Sequence, residues 1–152
     1  MWRARQWLAP RGWSLAAQGV ARAQHANLRA LVAAEPARAD LRRELSVSLH
    51  NLGNLAIDAG RGDEARRFFE ESLQVMRDLV GAEPNRADLR RDLAIFQWNF
   101  YLLVTSRAER IAWLRAVLAT LTPLRAAGVQ DAQVAQLWGF ATNALRKRGE
   151  KV

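Results

Sequence analysis

Residues 35–45 read EPARADLRREL, and residues 83–93 read EPNRADLRRDL. Nine of the eleven positions are identical at a spacing of 48 residues, and both differences, Ala37 against Asn85 and Glu44 against Asp92, are mild. Self-similarity at a fixed period of roughly 20–50 residues marks a chain built from stacked supersecondary units, each burying its apolar face on the next. The 152-residue length fits one domain with a single core.

Between the two copies lie two helical patterns separated by Gly60-Arg61-Gly62. Leu41, Leu45, Leu49, Leu52, Leu55, Ala56 and Ala59 recur at the spacing of one buried helix face and predict a helix over Asp40–Ala59. Asp40 is placed to cap or charge its first turn, and Gly60 suits the left-handed position after its last. Ala65, Phe68, Phe69, Ser72, Leu73, Met76, Leu79 and Val80 predict a second helix over Asp63–Val80. Proline disfavours helix at the residue before it, so Glu83-Pro84 and its counterpart Glu35-Pro36 act as corners. The unit is helix, tight turn, helix, proline corner, clearest over residues 38–84.

The stretch NLGNLAIDAGRGDEARRFFEESL, residues 51–73, resembles a tetratricopeptide repeat. The family's landmark positions are matched by Leu52, Gly53, Gly60, Ala65, Phe69 and Leu73, with Ser72 at a usual small position and Pro36 and Pro84 at the corners. The resemblance implies a close helix crossing at Gly53 and Ala65, with Phe69 filling the adjacent gap. The family period is about 34 residues, whereas the copies here are 48 apart, which implies longer helices of the kind found in multi-repeat bacterial proteins.

The same pattern extends to both sides. Residues 15–34 read as the second helix of an earlier unit, ending on Glu35-Pro36. Asp88 to about Thr105 reads as another first helix, apolar on nearly every side. Ala108 to about Ala127 continues, relaxed near Pro123 and broken at Gly128. Asp131 opens a last helix with Val134, Leu137, Trp138, Ala141 and Leu145 on one face. The expected fold is all-α, a short right-handed helical-hairpin solenoid of about six helices with a C-terminal capping helix. It occupies residues 14–149, after an Arg/Trp segment at residues 1–13.

Charge and chemistry narrow the function. The net charge of +8 divides into +5 over residues 1–34, −2 over 35–93 and +5 over 94–152, so the excess lies at the ends. There is no cysteine, hence no disulfide and no thiolate metal site, which suits a cytoplasmic compartment. No run of eighteen apolar residues predicts a membrane span. His25 and His50 are the only histidines and carry no metal-ligand spacing, and no nucleophile elbow, phosphate loop or dinucleotide fingerprint occurs. No cofactor, no metal and no enzymatic activity are expected. Trp98, Trp113 and Trp138 are expected to pack the C-terminal half, and Trp2, Trp7 and Trp13 to cover the first helix.

The expected function is a protein-interaction scaffold. Val47, His50, Asn51, Asn54, Ile57 and Asp58 lie on the side of the first helix that the apolar stripe leaves free. The resemblance places such positions on a concave groove that holds a peptide or partner helix. Their counterparts one unit later are Ile95, Trp98, Asn99, Leu102 and Thr105. None of these is Lys or Arg, so recognition of a chain-terminal carboxylate is not expected. The alternative is a nucleic-acid-binding accessory protein that uses the basic ends, Arg3, Arg5 and Arg11 among them.

Overall fold

The computed structural model describes residues 15–152. The N-terminal Arg/Trp segment, with Trp2, Trp7 and Trp13, lies outside the described residues. Six helices follow in order: α1 (Leu15–Ala34), α2 (Ala39–Asp58), α3 (Gly62–Ala82), α4 (Ala87–Leu103), α5 (Arg107–Ala126) and α6 (Ala132–Arg146). Among the described residues there is no strand. The bounds fall within two residues of those the apolar spacing predicts. Pro123 does not stop α5, which runs on to Ala126.

The repeated letters build a repeated corner. After Pro36 the Arg38 amide donates to the Glu35 carbonyl at 3.0 Å, and after Pro84 the Arg86 amide donates to the Glu83 carbonyl at 3.1 Å. Each arginine then forks onto the aspartate two residues on. Arg38 Nε and Nη2 donate to Asp40 Oδ1 and Oδ2 at 2.9 and 2.5 Å. Arg86 does the same to Asp88 at 2.8 and 2.6 Å. Nη1 of each reaches back to Glu35 or Glu83 at 3.2 or 3.1 Å. The guanidinium thus ties the residue before the corner to the first turn of the helix after it, in the planar geometry that suits a bidentate carboxylate. Asp40 does not cap α2 through its own side chain; the N-cap is Arg38, with no side-chain capping bond. Instead Asp40 puts a negative charge on the first turn, and its pKa is pulled down to about 2, chiefly by the Arg38 hydrogen bond. Of the remaining shared letters, Leu41, Leu45, Leu89 and Leu93 are core residues.

The opposite ends of the helices close differently. Gly60 and Gly128 take φ of 71° and 69°, a region that costs a residue with Cβ. Across them the Arg61 amide reaches the Ala56 carbonyl at 2.8 Å and the Val129 amide reaches Leu124 at 3.0 Å, satisfying last-turn carbonyls.

The described residues divide into two compact units, one running to Leu79 and the other Val80–Val152. In the first, α1 packs on α2 and α2 meets α3 at Gly53–Phe69 and Ser46–Ser72, and Leu45, Leu49, Leu52, Ala65, Phe69, Leu73 and Met76 are buried. The second is built from α4, α5 and α6, with Leu114, Val117, Leu121, Val134, Leu137, Ala141 and Leu145 at its centre. Its aromatic residues stack internally: Phe100 on Trp113 at 4.5 Å, and Trp98 on Tyr101 and Phe140 at 4.8 and 5.9 Å. Arg125 lies 4.5 Å over the Trp138 ring.

Candidate functional site

Whether α2 can present a binding face depends on how many of its sides are covered. Towards α3 it approaches very closely: a Cβ on Gly53 would stand 2.6 Å from Phe69 Cε1. The Phe69 ring then reaches the His50 ring at a centroid distance of 4.8 Å and 53°. One turn earlier, Ser72 Oγ donates to the Ser46 carbonyl at 2.7 Å, with both serines fully buried. Towards α1 the contact is polar, with Ser48 Oγ 3.3 Å from His25 Nδ1.

This double contact corrects the expectation that His50 and Asn54 lie free. They are 5% and 2% exposed. A helix held between neighbours buries a wider arc than its leucine stripe, and Ser46, His50, Gly53 and Asn54 fall inside that arc. Burial alone holds the His50 pKa down to about 4, because the imidazolium is penalised away from water. The Asn54 side-chain nitrogen is buried without a hydrogen-bond partner among the described residues.

Val47, Asn51, Ile57 and Asp58 remain on the open side of α2. Val47 and Asn51 share a cleft of about 450 Å³ with Val20, Gln24 and Leu28 of α1 and with Arg43, Glu44 and Ser48 of α2. Its lining mixes aliphatic side chains with amides and hydroxyl, and Val20 at its edge is 58% exposed. Sequence reasoning missed the α1 wall; Val20 and Leu28 recur at helical spacing and were the available signal.

Behind the cleft runs a polar relay. Arg29 pairs with Glu71 of α3 and donates through Nε to His25 Nε2 at 2.8 Å. Since Arg29 Nε can only donate, His25 Nε2 must accept, which puts the imidazole proton on Nδ1 facing Ser48. Desolvation and the adjacent Arg29 charge lower the His25 pKa, with Glu71 opposing. The relay binds α1, α2 and α3 together.

In the second unit, Leu102 is exposed while Trp98 and Asn99 are half-buried. Trp98 packs on Tyr101 and Phe140, and its Nε1 has no hydrogen-bond partner among the described residues. Its ring serves the packing of α4 against α6. Among the described residues no three His, Asp or Glu side chains come together as a metal site. No described helix is long and apolar enough to cross a membrane.

The α2–α3 hairpin, with its Gly53–Phe69 crossing, and the opening of α4 coincide with a match to the tetratricopeptide repeat family over residues 45–94. Residues 45–94 carry a tetratricopeptide repeat. Such repeats generally mediate protein–protein interaction and are typically non-catalytic. Neither a curated protein nor a solved structure matches the chain significantly. The tetratricopeptide landmarks Leu52, Gly53, Ala65, Phe69 and Leu73 are all buried, and Gly60 forms the turn.

Proposed function

We propose that this chain is a non-catalytic scaffold that holds an extended peptide or partner helix against α2, in the cleft it shares with α1. The observation that carries the reading is the side of α2 that the fold leaves open: Val47 is 40% exposed and Asn51 is exposed beside it, in a cleft edged by exposed Val20. Aliphatic groups there offer area for a partner's apolar side chains, and the Asn51 and Gln24 amides can donate to and accept from its backbone. On α4 the exposed Leu102 is the corresponding candidate.

A peptide library displayed on phage and selected against the full chain supplies the probe. Val47→Asp and Asn51→Ala should each weaken a selected peptide by about 1–3 kcal/mol, the penalty for a lost anchor or an unpaired buried group. Glu70→Ala, on an exposed ion pair with Arg66, is the control and should leave affinity unchanged. Equal losses in all three variants, or no loss in the first two, would move the binding surface elsewhere.

A further inference from the structure

The turn from α4 to α5 and the end of α6 meet at one open depression of about 500 Å³, lined by Thr105, Arg107, Arg110, Lys147 and Arg148. Its lining holds four cations and no acid. Like charges brought together repel, so their convergence asks what holds them. The bonds run to backbone carbonyls and a phenol rather than to carboxylates. Arg107 Nη2 donates to the Arg148 carbonyl at 2.8 Å and Arg110 Nε to the Val104 carbonyl at 2.8 Å. Arg148 donates from Nη1 to the Ala144 carbonyl at 2.8 Å and from Nη2 to the Tyr101 hydroxyl at 3.3 Å. Arg110 and Arg148 also both lie 5.6 Å from the centroid of the Tyr101 ring. Two acids stand nearby without lining the depression: Glu109, in the first turn of α5, and Glu150, which is taken by Arg115 at 2.6 Å.

Each pinned guanidinium retains N–H donors beyond those it has spent. The helix field adds to theirs: Arg107 and Arg110 stand in the first turn of α5, where the macrodipole disfavours cations, and the Ser106 N-cap makes no side-chain capping bond. A multiply charged anion with several acceptor oxygens would relieve every one of these costs at once. We propose that this depression binds a phosphate monoester or pyrophosphate group, through the free guanidinium donors of Arg107 and Arg110, the Lys147 ammonium and the Thr105 hydroxyl. A single carboxylate offers two oxygens and one charge to four cations and fits less well. The compact cluster also suits one anionic group better than the extended track that a nucleic-acid backbone needs. The inference is independent of the α1–α2 cleft.

Calorimetry on the full chain at near-physiological salt tests it with three probes: inorganic pyrophosphate, a short phosphoserine peptide, and the same peptide carrying glutamate. Both phosphate probes should bind, with the glutamate peptide weaker. The exposed pair Arg107→Gln and Lys147→Gln should weaken the phosphate probes about tenfold or more, as expected for charge-assisted bonds. The pair Arg67→Gln and Arg125→Gln removes the same two charges outside the depression and should leave both affinities unchanged. Tighter binding of pyrophosphate than of the phosphopeptide would assign a small-molecule source, and the reverse a modified side chain. The proposal is overturned if neither phosphate probe binds, or if the glutamate peptide binds as tightly. It is also overturned if the control pair Arg67→Gln and Arg125→Gln costs as much as the Arg107 and Lys147 pair, or if a single-stranded oligonucleotide binds tighter with its loss shared evenly among these positions. Circular dichroism of each variant, with Lys147→Gln alone as a milder second test, separates lost binding from lost fold.

Discussion

The Phe69 ring lies across Gly53 so closely that a Cβ there would stand 2.6–2.8 Å from three ring carbons. Phe69 is itself buried against His50, so the ring cannot simply swing away. Helix propensity favours alanine over glycine by about 1 kcal/mol, whereas overpacking costs about 1–3 kcal/mol. The clash should win, so Gly53→Ala should lower stability and Gly53→Leu should lower it further. Gly19→Ala and Gly139→Ala meet nothing within 4 Å and should raise it. Urea unfolding of the four variants reads the contrast in sign, and a stabilised Gly53→Ala would remove the close crossing.

Stability should fall on mild acidification. His50 ionises in the unfolded chain near its ordinary 6.5 but in the folded chain only near about 4. Its contribution is therefore complete above pH 6.5 and is lost as the pH falls toward 4, amounting to at most about 3 kcal/mol. His25, also lowered, acts in the same direction. Unfolding midpoints at pH 7.5, 6 and 5 should drop steadily, and His50→Leu should flatten the drop. An unchanged slope in His50→Leu would place the acid sensitivity elsewhere.

Asn54 and Asn51 should part company despite their shared chemistry. Asn54→Leu removes a buried side-chain nitrogen that has no partner among the described residues, and should be neutral or stabilising by about 1–2 kcal/mol. Asn51→Leu sits in the open cleft and should change stability by less than about 0.5 kcal/mol. Melting temperatures of the two variants decide it; a marked loss in Asn54→Leu would reveal an essential partner.

Ser72→Ala should cost about 0.5–1.5 kcal/mol, because it deletes a fully buried hydroxyl bond to the Ser46 carbonyl. Ser48→Ala, whose contact to His25 is longer and only part-buried, should cost less. Chemical denaturation of both ranks them, and the reverse order would break the assignment of Ser72 as the main polar tie between α2 and α3.

Helix positions were legible in the sequence because periodicity, glycines and proline corners are local. The Leu41–Ala56 stripe located α2, and Gly60 and Gly128 marked where helices end. Which polar residues of α2 reach solvent was not legible. Asn51 and Asn54 look alike in sequence, yet one is exposed and the other buried, since the arc covered by flanking helices is a tertiary quantity. The same holds for Trp98, whose burial depends on Phe140 of a later helix. The basic depression was visible only as a charge excess over residues 94–152, because Arg107 and Arg148 meet across 41 residues.

The Arg38 guanidinium draws its bonds from within Glu35–Asp40, and the Arg86 guanidinium draws the same bonds from within Glu83–Asp88. A guanidinium clamp closed by neighbours in sequence can be copied along with its segment without adjustment by more distant helices. It tolerates drift beyond it as well: Gly53 in one copy stands at the position of Tyr101 in the other, while the corner letters are kept. The helices between the joints are then free to diverge, and new surfaces can arise in a duplicated copy while the original keeps its own.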